Sequence, residues 1–265
     1  MITVSPSNFR DEIMHRLELL RSFIRTDEIG LEIGPSHSPV APKSAGYCVE
    51  IVDHLDQEGL KLKYAATGNA DAIEVVDWVW KGGSYAELIG KQAYYDYVIA
   101  SHVIEHTTDF VGFIKDCAKL LKPGGRIVLA VPDKRYCMDV FRPESGIGNI
   151  IDAHVKQRDR PTAGTAVEYI LSYATVNGAI GWSKETSDVP KRSFGYKQAR
   201  NIYNDIIETN AFHDVHTWCF TADSFRGLIR DLRGLGFINF IEENFIDTIN
   251  CEFFCVLRAD NEMLS

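Results

Sequence analysis

The sequence has no apolar run near the roughly 20 residues that cross a membrane; its longest strand-like stretch runs only from Ile127 to Val131. The segment MITVSPSNFRDEIMHR lacks the apolar core of a secretion signal. Six cysteines are present (Cys48, Cys117, Cys137, Cys219, Cys251 and Cys255), and no two form a CxxC pair. Reduced thiols at home in an apolar core are therefore expected. Basic residues are the minority, 28 Lys and Arg against 37 Asp and Glu, for a net charge of -9. A nucleic-acid backbone calls for a dense basic face, so no nucleic-acid partner is expected. Internal repeats are absent as well. These absences lead us to expect a cytosolic protein with no membrane partner.

What is present is an ordinary globular mixture, 45% hydrophobic and 25% charged over 265 residues, enough for one large domain with a full core. Phe9, Ile13, Leu17, Leu20 and Ile24 recur at spacings of three and four, which predicts a helix over 8–24 with Ser7 as its cap. Short apolar runs follow at 28–33, 46–52, 72–76, 95–101 and 126–131. Helical patterns separate them at 57–66, 85–89 and 110–121, the last stopped by Lys122-Pro123-Gly124-Gly125. Such alternation predicts a parallel sheet covered by helices on both faces.

The rhythm breaks over residues 134–216, a partly helical stretch rich in Tyr, Arg, Gly and Asn. It resumes with a helix capped by Thr221 and ended by Gly236, then two strands at 237–245 and 249–257. A turn at Asp247-Thr248 would pair them antiparallel. The expected fold is a doubly wound, mostly parallel seven-stranded α/β sheet with an antiparallel last hairpin. It forms a single domain over 1–265, with a substrate lid inserted at 134–216 after strand five.

Carboxylates punctuate the strand ends. Glu32 lies in LEIGPSHSP just before Gly34, where the chain turns at the ligand-facing end of such a sheet. Asp53 ends the second strand, 21 positions later, near the spacing at which a carboxylate holds ribose hydroxyls. Asp77 is expected to follow the third. In chain order the three outline a nucleoside site.

These segments resemble the class I S-adenosylmethionine-dependent methyltransferases. LEIGPSHSP is similar to the family's first motif, DYVIASHVIEH to the segment after its fourth strand, and LLKPGGRIVLAVPD to its turn and fifth strand. The resemblance covers residues 28–133, and 221–258 by pattern only. It implies S-adenosyl-L-methionine as cofactor and methyl transfer as the reaction. It implies that Glu32 and the Gly34-Pro35-Ser36 backbone lie near the methionine part, and that Asp53 holds the ribose. Leu55, Asp77 and Trp78 would border the adenine, and Ser101 and His102 would approach the sulfonium. Ser36 and Ser38 stand where the family has glycines, and a positive φ suits serine less well.

The string HVIEH, His102 to His106, reads H-x-x-E-H, a zinc pattern that works only when both histidines share one helix face. His102 directly follows a strand, and no resident metal is expected. A second group, His213, Asp214 and His216, lies where the insertion returns to the sheet. Imidazole is a suitable base near neutral pH. The catalytic candidates are His213, then His216 and His102, with Asp133 as a crevice-facing carboxylate. The alternatives for this group are a plain polar loop or a divalent ion on His213 and His216.

Residues 134–216 hold 11 Lys and Arg against 10 Asp and Glu, so the net negative charge lies entirely elsewhere. Arg135, Arg142, Lys191, Arg192 and Lys197 would suit an anionic small molecule. Tyr169, Tyr173, Trp182, Tyr196 and Tyr203 could face sugar rings. The expected acceptor is a hydroxyl of a sugar or of a phosphorylated or nucleotide-linked small molecule. Alternatives are a small amine, a non-catalytic cofactor-binding module, and a dinucleotide-dependent oxidoreductase, which the missing GxGxxG disfavours. The oligomeric state is not legible.

Overall fold

The computed structural model describes residues 15–260. The strands are β1 (Ile29–Ile33), β2 (Cys48–Asp53), β3 (Trp78–Val79), β4 (Tyr95–Ser101), β5 (Leu121–Pro132), β6 (Ala174–Thr175), β7 (Lys191–Arg192), β8 (Phe240–Ile249) and β9 (Glu252–Ala259). The helices are α1 (residues 15–21), α2 (Gln57–Tyr64), α3 (Tyr85–Ile89), α4 (Phe110–Leu120), α5 (Ile147–Val155), α6 (Ala163–Ser172), α7 (Tyr196–Thr209) and α8 (Ala222–Gly234). Seven strands form one sheet in the order β3-β2-β1-β4-β5-β9-β8. The first five pair parallel. β9 runs antiparallel to both β5 and β8, so β8 points the same way as β5. β6 and β7 make a separate two-stranded ribbon within the insertion.

Alternation along the strands divides the core into two faces. Val98, Ala100, Ile127, Leu129, Phe253 and Cys255 pack on one face with α4, α5 and α8. Tyr97, Ile99, Val128, Ala130, Phe254 and Val256 pack on the other with Leu20 and Ile24 from the N-terminal region. The β1–β4 contact is close: Gly30 pairs with Tyr97, and a Cβ on Gly30 would lie 2.1 Å from the Tyr97 ring. Helix starts follow the local chemistry. Asp56, Ser84, Asp109 and Thr221 each accept an amide of the first turn through the side chain.

Three expectations need correction. The third strand is not 72–76 but the two-residue β3, preceded by a 3-10 turn at Ala70–Ala72. Only Val52 and Asp53 of β2 find partners there. Asp77 therefore precedes its strand. The last hairpin turns at Asn250, whose φ is +53°, because Asp247 and Thr248 lie within β8 at a break in register. Finally, Leu121 already pairs with Tyr95, and Lys122 to Gly125 bulge out before pairing resumes between Tyr97 and Arg126. Ser7 and the first turns of the expected N-terminal helix lie outside the described residues. Among the described residues no helix is long and apolar enough to cross a membrane.

The insertion leaves and returns at the carboxyl edge of the parallel strands. The Lys134 amide donates to Phe220 O at 2.8 Å, and the Thr217 and Trp218 amides donate to Glu105 O at 2.7 and 3.1 Å.

Candidate active site

At the end of β1 the chain turns through Gly34 and Ser36, with φ of +64° and +53°. Serine thus takes the left-handed conformation that glycine adopts freely. The loop is fixed from both sides. Glu32, 1% exposed, accepts the Val40 and Ala41 amides at 2.7 and 3.0 Å. Burial pushes its carboxyl up to about 7 against the pull of those two donors. The Glu32 carboxylate therefore holds the loop from within. Asp53 accepts the Ser36 amide at 3.0 Å on one oxygen. Its other oxygen accepts the His54 amide at 2.7 Å and meets His54 Nδ1 at 2.6 Å. A carboxylate offers about four lone-pair positions, so Asp53 retains acceptor capacity at the end of β2, as the ribose of the expected cofactor requires.

Asp77 and Trp78 are placed elsewhere. Asp77 accepts the Ile51 amide at 2.7 Å and the Lys43 ammonium at 2.5 Å. The Trp78 indole donates to Glu50 at 2.9 Å. Both work at or before β3, not beyond its carboxyl end. Trp80, which the sequence reading passed over, occupies that end. Its amide donates to Asp53 O at 2.8 Å, and its ring stacks on Tyr85 with centroids 5.0 Å apart. Leu55, half-buried, lies just past the end of β2.

Ser101 and His102 close β4 in a dense ionic network. Arg16 donates to Ser101 Oγ at 2.5 Å and to both oxygens of Glu252, at 2.5 and 3.0 Å. His102, at φ +54°, places Nε2 2.8 Å from Glu252 and Nδ1 3.5 Å from Glu105. Dense protein on the ring's inner edge works against a charge there, but the Glu105 and Glu252 carboxylates outweigh it and push the pKa up to about 9. His102 is thus an imidazolium near neutral pH, with no lone pair to offer as a base. Arg16 and Glu252 were missed by the sequence reading. Glu252 left a signal, an acid opening an otherwise apolar strand.

The remaining histidines separate. His213 turns toward α7, with Nε2 2.7 Å from Asp205. His216 is buried, and its Nδ1 lies 2.5 Å from Asp139. His106 presents Nδ1 to Asp214 at 2.7 Å, and its ring meets His216 edge-on at 4.6 Å between centroids. Glu105, fully buried, lies beside both. Burial opposes its charge, yet His102, His106 and His216 hold its carboxyl below the usual range. Asp133, fully buried, is committed: it accepts from the Arg135 backbone and guanidinium and from Thr248 at 2.6 Å. It orients no histidine; Asp139 takes that part for His216. Asp139 sits in MDVFRP, where nothing marks it in sequence.

A family model for the methyltransferase domain matches residues 8–178. The ubiquinone biosynthesis O-methyltransferase of Caulobacter vibrioides is 33% identical over 104 residues, 39% of this chain and 38% of that protein. The similar stretch thus spans well under half of that relative. Among solved structures, a Rhodobacter sphaeroides chain described as a zinc-dependent alcohol dehydrogenase is similar over 92% of this chain and 89% of its own (12% identity, TM-score 0.51), a likeness of fold. A Burkholderia thailandensis 1,6-didemethyltoxoflavin N1-methyltransferase, solved with S-adenosylhomocysteine, is similar over 94% of this chain and 78% of its own (10% identity, TM-score 0.44). A family match over more than half its length, on a sheet of this strand order, makes the chain a member of the methyltransferase-domain family.

Proposed function

We propose that the protein methylates a hydroxyl of a small, anionic molecule, a sugar or a phosphorylated or nucleotide-linked compound. The cofactor supplies an electrophilic methyl on a sulfonium. The chain aligns the acceptor and takes its proton. The observation that carries this reading is the Glu105, His106 and His216 cluster one ring away from the end of β4. Its histidines are oriented by Asp214 and Asp139, so their Nε2 atoms are left as proton acceptors. An amine can arrive deprotonated, whereas an alcohol needs such a group.

His213, tied to Asp205 on α7, gives way to His216 as the favoured residue. Cofactor contacts fall to the Gly34-Pro35-Ser36 turn and Asp53, with Leu55 and Trp80 beside the adenine. The insertion at residues 134–216 covers the acceptor and selects it. Its low acidity, beside the strongly acidic remainder, supports an anionic substrate, and the relative's name supports oxygen as the methyl acceptor.

The test is unbiased. The enzyme is incubated with methyl-labelled cofactor and a metabolite extract, and labelled products are identified. Label on oxygen of an anionic small molecule is expected. Label on nitrogen, or on a macromolecule, overturns the reading.

A further inference from the structure

The same cluster has a property that proton transfer alone leaves unexplained. Both carboxylate oxygens of Glu105 are buried without a hydrogen-bond partner. An unpaired buried acceptor is costly, and a charged one more so. The His102 imidazolium offsets part of its charge from 3.5 Å, but the other two histidines donate nothing to it. His106 and His216 have each turned Nδ1 to a carboxylate, which places a proton on Nδ1 and a lone pair on Nε2. His106 Nε2 is 4.0 Å from Glu105 Oε1. One ligand atom from each of Glu105, His106 and His216 lies within 4.8 Å of the others. Three acceptors therefore converge in a largely dry junction. His102 Nδ1 stands 3.5 Å from the same Glu105 oxygen, while its Nε2 is engaged with Glu252 at 2.8 Å.

We propose that Glu105, His106 and His216 bind one first-row divalent transition-metal ion. Two imidazole nitrogens and a carboxylate oxygen form the donor set of zinc, cobalt, manganese or ferrous iron, not that of magnesium, which prefers oxygen alone. With bonds of about 2.0–2.2 Å, the three donors would close by roughly 1 Å around the ion. A ligating histidine characteristically gives its other nitrogen to a carboxylate, which fixes ring and tautomer. Here both do, and Asp139 is itself gripped by Arg142, 3.0 Å away, which also donates to His216 O at 2.8 Å. Three protein ligands leave coordination positions open. The opening lies on the side of His106 and Asp214, whose side chains are 33% and 70% exposed. The sequence hinted at half of this arrangement. In H-x-x-E-H the first histidine is diverted to Glu252, and the missing nitrogen arrives from His216, 110 residues beyond His106.

The site goes beyond the acceptor reading: an Nε2 that ligates an ion cannot also take the acceptor's proton, so proton transfer by His216 belongs to the ion-free protein, and metal binding is measured apart from it, without turnover. Full-length protein is stripped with a chelator, exchanged into metal-free buffer and titrated with Co2+, followed by visible d–d absorption and calorimetry. One ion per chain is expected, displaced by Zn2+ and not by excess Mg2+. His106→Ala and His216→Ala should each weaken Co2+ binding by about 100-fold or more, and Asp139→Asn by about 10–100-fold, the range for a group that orients a ligand. His213→Ala should leave it unchanged. Should a core variant fail to fold, Asp214→Asn at an exposed position provides the comparison, with about a 10-fold loss expected. Stripped wild-type protein that takes up no stoichiometric Co2+ overturns the proposal, as does uptake that these substitutions leave unaltered. A metal site found without methylation of any hydroxyl would leave this inference standing and remove the acceptor reading.

Discussion

The proposed cofactor and acceptor sides of the site are built over very different distances along the chain. On the cofactor side, Glu32 holds amides 8 and 9 residues away, and Asp53 one that is 17 away. On the acceptor side, Asp139 meets His216 across 77 residues, and His106 meets Asp214 across 108. Local contacts follow from a motif's own spacing. Long-range ones exist only once the insertion has docked. The proposed cofactor side is therefore a property of the sheet, and the proposed acceptor side a property of the junction between sheet and insertion.

That division can be broken experimentally, and the sharpest attempt is His216→Ala. Turnover should fall by about 10²–10⁴-fold, the usual contribution of a general base, with the dissociation constant for S-adenosylmethionine nearly unchanged. His213→Ala, paired outward with Asp205, should stay within a few-fold of wild type. Equal losses from both would place the proton acceptor elsewhere. So steady-state kinetics and cofactor titration on the two variants decide the matter.

The next effect belongs to the cofactor side and is read by pH. Glu32 ionises near 4.5 in an unfolded chain and at about 7 in the folded one. Between those values the native state binds the extra proton, so this group's contribution is complete below pH 4.5 and is lost as pH rises to 7. The span corresponds to about 3 kcal/mol. Denaturant unfolding of wild type and Glu32→Gln across pH 4.5–7.5 should show their difference moving against wild type by that amount. A parallel pair of curves would mean that the two amide donors hold Glu32 ionised throughout.

Asp53→Ala comes third. It removes an acceptor from the end of β2 and should weaken S-adenosylmethionine by about 1–3 kcal/mol, as for a hydrogen bond to a charged group. Calorimetry on the folded variant checks it, and unchanged affinity would move the ribose elsewhere. The smallest effect belongs to the insertion's outer face. Ile207 on α7 is 61% exposed, and Ile207→Ser should change stability by no more than about 0.5 kcal/mol. A larger loss on thermal melting would reveal that this face is covered in solution.

The same contrast in distance explains what could be read from sequence. Alternating apolar runs located β1, β2, β4, β5, the helices α2, α3, α4 and α8 and the pairing of the last two strands, because period and turn chemistry are local signals, whereas α5 within the insertion went unread. The third strand failed for an equally local reason: Ile73 to Val76 reads as β-forming, but the sheet edge offers pairing only to Trp78 and Val79. That shift moved Asp77 and Trp78 off the carboxyl edge and hid Trp80. Gly34, Asp53 and His102 stand at the strand ends, as anticipated. Histidine 216 was named without its partner, since no pattern in MDVFRP announces that Asp139 will face it. Arg16 and Glu252 were invisible as a pair because the N-terminal helix and the final strand meet only across the sheet.

The position of β9 has a consequence for how the protein is made. β5 is finished at residue 132, but its outer edge is covered only when residues 252–258 arrive to pair with it. Arg16 likewise finds Glu252 only 236 residues after it is synthesised. At translation rates of about 5–20 residues per second, the newborn Arg16 waits roughly 10–50 s for its carboxylate, and the β5 edge stays open for much of that time. An unpaired edge of apolar residues is a template for other chains. Nascent copies on one messenger therefore risk pairing with each other, and the emergence of residues 252–258, rather than folding of the first half, is the moment at which the edge closes and Arg16 meets Glu252.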